Sequence, residues 1–275
     1  KSSRLRGSTL LLKLSDIEAC LSTQVDKNGN TALMAACHRS LPKVAMRLIE
    51  NGHGHCGHLN NWGDTALMLA CWKRLPQVAL ELLKTGKSKP ENVNSHLQTA
   101  FGLACRKSLP EVAMELIETG PSVSKYVNVY GNTPLMVACH RSLPKVALRL
   151  IEIEQNNYGH SNINNDTALI LACWRSLPEV ALKLIETGKS KPEYVGYNRE
   201  TALIHACEKS LPEVAQKLLE TGKSNLEQKS EKGETALYWA CKNKMFTVLP
   251  KMLDYTVAEE VRKTMGKLYG EKVSL

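Results

Sequence analysis

The chain has 275 residues, 43% hydrophobic and only 5% aromatic, and its 36 Lys and Arg against 27 Asp and Glu give a formal net charge of +9. That is enough chain for one or two globular domains or one elongated domain, and the positive charge favours acidic partners. No run reaches the roughly 18 apolar residues of a membrane span, and the apolar stretch in the opening "KSSRLRGSTLLLKLSD" is too short for a signal peptide.

Residues 1–25 contain "STLLLKLSDIEACLS" and are expected to form a partial helical cap. From residue 26 to 255 the chain repeats itself. Thr31, Thr65, Thr99, Thr133, Thr167, Thr201 and Thr235 follow one another at intervals of 34 residues, each followed by Ala or Pro. Six residues after each threonine stands a cysteine, Cys37, Cys71, Cys105, Cys139, Cys173, Cys207 and Cys241, and only Cys20 and Cys56 fall outside the series. Seven equal units predict a solenoid, because one such unit cannot bury its own apolar face and must stack on neighbours.

Each unit reads as two helices. The threonine N-caps the first, whose apolar face in the fifth unit is Leu169, Ala172 and Cys173. Ser-Leu-Pro then restarts the chain, and Ser108 with Glu111, Ser176 with Glu179 and Ser210 with Glu213 have capping-box spacing. The second helix is expected to bury Val180, Ala181, Leu184 and Ile185 and to stop at Gly188. "TGKS" at Thr85, Thr187 and Thr221 echoes the end of a phosphate-binding loop. The earlier glycine of that motif is replaced by Glu81, Lys183 or Lys217 and the stretch follows a helix, so it reads as a helix stop.

The pattern "GNTPLMVACHRSLPKVALRLIE" from Gly131 to Glu152, with "GNTALMAACHRSLPKVAMRLIENG" from Gly29 to Gly52, resembles the ankyrin repeat over roughly residues 26–255. The resemblance implies an all-α ankyrin-repeat solenoid of helix-turn-helix units with short hairpin-like loops. There are departures. Ala mostly replaces the family's Pro, Met or Ile its helix-one His, and Ser-Leu-Pro its Gly-His; Asn165 and Arg199 replace the turn glycine, and Glu154 the terminal one. The cysteine and "LPxVA" style is similar to ankyrin proteins of large DNA viruses, protists or intracellular bacteria, which suggests a host–pathogen setting.

A longer period lies above the short one. "ACHRSLPKVA" occurs at Ala36 and Ala138, "LACWKRLPQVA" at Leu69 pairs with "LACWRSLPEVA" at Leu171, and "ACRKSLPEVA" at Ala104 with "ACEKSLPEVA" at Ala206. Units one to three therefore read as a block of 102 residues duplicated to give units four to six. Residues 256–275 are expected to form a C-terminal cap and tail.

Equivalent cysteines of adjacent units should lie roughly 8–10 Å apart, beyond the about 7 Å a disulfide tolerates, so the series predicts buried packing thiols in reducing surroundings. Cys20 and Cys56 are the expected reactive ones. "HGHCGH", with His53, His55, Cys56 and His58, crowds four metal donors into six residues, and only His160 persists in the matching loop of unit four. These four are weak metal candidates, and no cofactor is called for.

The strongest functional signal is a cation eight residues after each threonine in six units, Arg39, Lys73, Lys107, Arg141, Arg175 and Lys209. Before them stand His38, Trp72, Arg106, His140, Trp174 and Glu208. A cation in the last turn of a helix offsets the helix dipole without any ligand. Trp72 and Trp174 have no such explanation and have the composition of an interface hot spot. By resemblance, these positions and the hairpin tips, where Lys27, Trp62 and Tyr130 stand, line the concave face that binds partners. No nucleophile, base and orienting group recur together, so an enzyme is not expected. The expectation is an intracellular, cytoplasmic or nuclear, monomeric protein-binding module for an acidic, partly apolar partner. The alternative is sequence-tolerant nucleic-acid binding, although cations at roughly 8–10 Å steps do not match phosphates about 3.4 Å apart one to one.

Overall fold

The computed structural model describes residues 24–52, 54–119, 126–153 and 158–255. Residues 1–23 of the cap expected over 1–25, with Cys20, and His53, Glu154 and residues 256–275 lie outside them. The described residues are helical with no strand, the only pairing being isolated bridges Val93–Thr99, Ser161–Thr167 and Val195–Thr201.

The chain forms two compact units, residues 1–129 and 130–275. In the first, α1 (Ala32–His38), α3 (Ala66–Trp72) and α5 (Ala100–Arg106) are the first helices of three repeats, and α2 (Pro42–Glu50), α4 (Pro76–Lys84) and α6 (Pro110–Glu118) the second. Like packs on like, α1 on α3 on α5 and α2 on α4 on α6. The second unit contains α7 (Pro134–His140), α8 (Pro144–Ile153), α9 (Ala168–Trp174), α10 (Pro178–Glu186), α11 (Ala202–Glu208), α12 (Pro212–Glu220) and α13 (Ala236–Lys242), stacked in the same way.

Each first helix begins as its sequence requires. The hydroxyl of every periodic threonine accepts the N–H three residues on, as from Thr65 to Met68 at 3.1 Å and from Thr167 to Ile170 at 3.3 Å. The other end differs from expectation. Ser108, Ser176 and Ser210 do not open a capping box: they lie at φ +55° to +56°, and the N-caps of the second helices are Leu109, Leu177 and Leu211, with no side-chain bond. The serine instead closes the preceding helix. The Ser176 N–H donates to Cys173 O and the Leu177 N–H to Ala172 O, the paired bonds of a Schellman turn, and the same pair recurs in all seven repeats. With proline at the first position of the second helix, no N–H remains there for a serine to cap. The left-handed residue is never glycine: it is Ser40, Arg74, Ser108, Ser142, Ser176, Ser210 and Lys244.

At the hairpin tips, Gly29, Gly63, Leu97, Gly131, Asn165, Arg199 and Gly233 all hold positive φ, so the replacements keep the turn at a conformational cost. The TGKS stretches are helix stops. The Thr85 hydroxyl donates to Leu82 O at 2.6 Å and accepts from Lys87 N, while Gly86 turns left-handed at φ +66°. On α10, Val180, Ala181 and Leu184 are buried as expected, but Ile185 is only half-buried.

Cys37, Cys71, Cys105, Cys139, Cys173 and Cys207 are fully buried, with no disulfide among the described residues. Burial pushes the Cys37, Cys71, Cys139 and Cys207 thiols up to about 12, and Cys173 also upward. Two expectations are corrected. Cys56 is buried, tucked close to Cys37, whereas Cys241 is exposed because no first helix follows α13 among the described residues.

Two outcomes follow. Under native conditions a thiol reagent should modify Cys241 ahead of Cys37, Cys56, Cys71 and Cys173, read by peptide mass spectrometry. Replacing Ser176 by Gly should stabilise the protein by about 0.5–1 kcal/mol by relieving the left-handed strain, whereas Thr167→Ala should cost about 1 kcal/mol, both read from urea unfolding.

Candidate functional site

The Schellman turn places the last residue of each first helix and its C-cap on the rim of the stack. In the first unit these are His38, Trp72 and Arg106 with Arg39, Lys73 and Lys107. Trp72 is 37% exposed. The next repeat supplies cations to it: Lys107 Nζ lies 3.9 Å and Arg106 Cζ 5.2 Å from its ring centroid. Such contacts contribute about 0.5–1 kcal/mol when exposed, and they hold the indole in place.

In the second unit the same positions hold His140, Trp174 and Glu208 with Arg141, Arg175 and Lys209. Trp174 is covered differently. Its own C-cap Arg175 lies 3.9 Å from the ring centroid, and the His140 ring is 5.6 Å away, tilted by 49°. Arg175 Nε is buried and makes no hydrogen bond among the described residues. Burial, then the charges of Arg175 and Arg141, hold His140 below the ordinary imidazole value, against a smaller opposing pull from Asp166. Lys73, Lys107, His140, Arg175 and Lys209 are half-buried, while His38, Arg39, Arg106 and Arg141 are exposed.

At the tips Lys27, Trp62 and Tyr130 are exposed, but their backbones are tied down. Lys27 O accepts from Asn61 Nδ2, Trp62 O from the Ser95 N–H and Tyr130 O from the Ile163 N–H. Beside them runs a side-chain ladder absent from the sequence reading. Asn60 Nδ2 donates to Asn30 Oδ1, Asn94 Nδ2 to Asp64 Oδ1, and in the second unit Asn162 Nδ2 to Asn132 Oδ1.

The histidine loop is structural. His58 Nε2 lies 2.9 Å from Gly29 O and His160 Nε2 2.8 Å from Gly131 O; a carbonyl only accepts, so each Nε2 carries the proton. This bracing of one tip by the next accounts for the presence of histidine in both copies of the block. Cys56 is buried and His58 engaged, and among the described residues no group of three or more donors suited to a metal occurs; His53 lies outside them.

One polar cluster was missed by the sequence reading. His205 is 5% exposed, with Nε2 3.5 Å from Glu200 and Nδ1 3.2 Å from Glu208, whose other oxygen accepts from Lys209 at 3.1 Å. The His205 hydrogen bond holds the Glu208 carboxyl down to about 2, and burial raises that of Glu200. The signal available was His205 itself, which stands where the other repeats have Ala35, Leu69, Leu103, Val137, Leu171 and Trp239.

The family profile for ankyrin repeats (three copies) matches residues 6–94 and 169–263, about two thirds of the chain. The chain belongs to the ankyrin repeat family. The solved ankyrin repeat domain of Bcl-3, described as a unique member of the IkappaB protein family, is similar at a TM-score of 0.57 and 23% identity, over 82% of this chain and 100% of that one. The human ASB11 ankyrin repeat domain is similar at a TM-score of 0.58 and 23% identity, over 82% and 97%. At that identity the likeness is one of fold. No curated protein sequence matches the chain. Ankyrin repeat domains generally mediate protein–protein interaction and are typically non-catalytic. Among the described residues no helix is long and apolar enough to cross a membrane.

By nuclear magnetic resonance His140 should titrate below the ordinary 6.5, and Arg175→Ala should move it upward. Because its folded-state value is depressed, protonating His140 opposes folding, so its effect is a loss of stability as pH falls through 6.5.

Proposed function

We propose that this ankyrin repeat protein is a non-catalytic, intracellular binding module whose partner is a protein or peptide with an acidic, partly apolar surface. On each unit the ends of the first helices form the binding face, with Trp72 as apolar anchor and Arg39, Lys73, Arg106 and Lys107 supplying charge on the first, and Trp174 with Arg141, Arg175 and Lys209 on the second. His38, His140, Lys27, Trp62 and Tyr130 extend the face on each unit. The observation that carries this reading is the pair of exposed tryptophans, each set against cationic side chains where ordinary helix-end chemistry needs no aromatic group. Helices that fix these groups before binding limit the entropy lost on association.

A peptide selection from a random library on the immobilised protein should enrich sequences mixing Asp and Glu with Leu, Phe or Trp. Replacing both Trp72 and Trp174 by Ala should weaken the selected peptides by about 2 kcal/mol or more while the Tm barely moves. Affinity should fall moderately with salt. A tight shift of random DNA or RNA at physiological salt, with a logarithmic slope near about −0.7 to −0.9 per phosphate contacted, would instead establish nucleic-acid binding.

A further inference from the structure

The two copies of the duplicated block no longer carry the same charge beside their tryptophans. Residues 102 positions apart correspond, and three of them have changed together: Gln98 to Glu200, Leu103 to His205 and Arg106 to Glu208, while Lys107 and Lys209 agree. In the first unit Leu103 is core, 3% exposed, and Arg106 and Lys107 both lie within 5.2 Å of the Trp72 ring centroid. Neither cation enters an ion pair among the described residues, so their charge faces whatever binds there.

In the second unit the corresponding positions form a closed circuit. The buried His205 ring is held between Glu200 and Glu208, and Lys209 is drawn onto the second oxygen of Glu208. The register position from which a cation reaches Trp72 is thus a carboxylate on the repeat after Trp174, and the neighbouring lysine is already paired. Gln98, Leu103, Arg106 and Lys107 carry a formal charge of +2, whereas Glu200, His205, Glu208 and Lys209 carry zero with a protonated imidazole and −1 with a neutral one. A leucine exchanged for histidine in the core is costly unless its ring nitrogens find partners, and here Nδ1 is hydrogen-bonded to Glu208 while Nε2 lies 3.5 Å from the Glu200 carboxylate. The histidine therefore reads as the support that fixes Glu208.

We propose that the duplication has yielded two non-equivalent faces. An acidic peptide segment with apolar side chains docks over Trp72, Arg106 and Lys107, and His205 with Glu208 makes the corresponding face beside Trp174 reject that ligand. This rests on the helix-end face being the binding surface and narrows that reading, confining the acidic ligand to the Trp72 face of the first unit. Charge complementarity selects the occupant, since an unpaired cation pair beside an indole suits carboxylates set among apolar groups.

The test uses the full chain and a fluorescein-labelled synthetic peptide alternating Glu with Leu and Phe, titrated by anisotropy and by calorimetry for stoichiometry. Wild type should bind one peptide. Trp72→Ala and Arg106→Glu should each weaken binding roughly tenfold or more, and Trp174→Ala less than about twofold. Restoring the first copy's residues in the second, as E200Q/H205L/E208R, should add a second peptide per chain, which Trp174→Ala in that background removes. E208Q alone, a milder change should the triple variant fold poorly, should show part of the gain. Equal losses from Trp72→Ala and Trp174→Ala, or unchanged stoichiometry in both E208Q and the triple variant, would show the faces to be equivalent and overturn the divergence while leaving the helix-end surface intact. No binding by wild type or any variant would overturn both.

Discussion

In every repeat, two backbone hydrogen bonds fix the turn between the helices, and much else follows from them. The residue after the first helix's C-cap swings to the left-handed region so that its N–H and the next one fall on the carbonyls of the periodic cysteine and of the alanine before it. In the first six repeats the turn is short and the following proline is already preset for a helix, so the second helix is forced back against the first. In the same six repeats the cysteine serves twice: its carbonyl closes the turn, and its side chain fills the gap between adjacent first helices, where burial keeps the thiol protonated. A larger side chain would separate the stack, and a more polar one would bring an unsatisfied group into it.

The same turn explains which parts of the molecule could be read from the sequence. The 34-residue period, the threonine caps and the helix boundaries are local and repeated, so agreement among seven copies makes them legible. The Ser-Leu-Pro segment misled because spacing suited a capping box, and only the backbone angles show that the serine belongs to the helix behind it. Cys56 and His58 misled for a different reason. Their partners, the neighbourhood of Cys37 and the carbonyl of Gly29, come from an earlier part of the chain, and contacts of that kind leave no local periodicity.

The candidate site was legible in outline. The register of cations and tryptophans along the helix ends is a sequence property, as is the absence of a packing reason for a large aromatic group there. What the register could not give was the pairing. Trp72 is covered by the two cations of the next repeat, whereas Trp174 is covered by its own C-cap arginine and by His140 of the repeat before it. Nearly identical segments, "LACWKRLPQVA" and "LACWRSLPEVA", thus present different surroundings because the neighbouring repeats differ. In a stacked protein a residue's environment is half written in the adjacent unit.

The amide ladder at the hairpin tips bears on how such a gene can change length. Each rung joins side chains 30 residues apart, as from Asn60 back to Asn30, and each histidine brace spans 29, as from His58 to Gly29. Insertion or loss of a single codon within that interval would move a donor away from its acceptor and break a rung and a brace together. Copying three repeats together keeps each pair, since the Asn30–Asn60 rung and the His58–Gly29 brace recur 102 residues later as Asn132–Asn162 and His160–Gly131. The ladder acts as a reading frame for duplication, within which side chains at the helix ends were left to diverge.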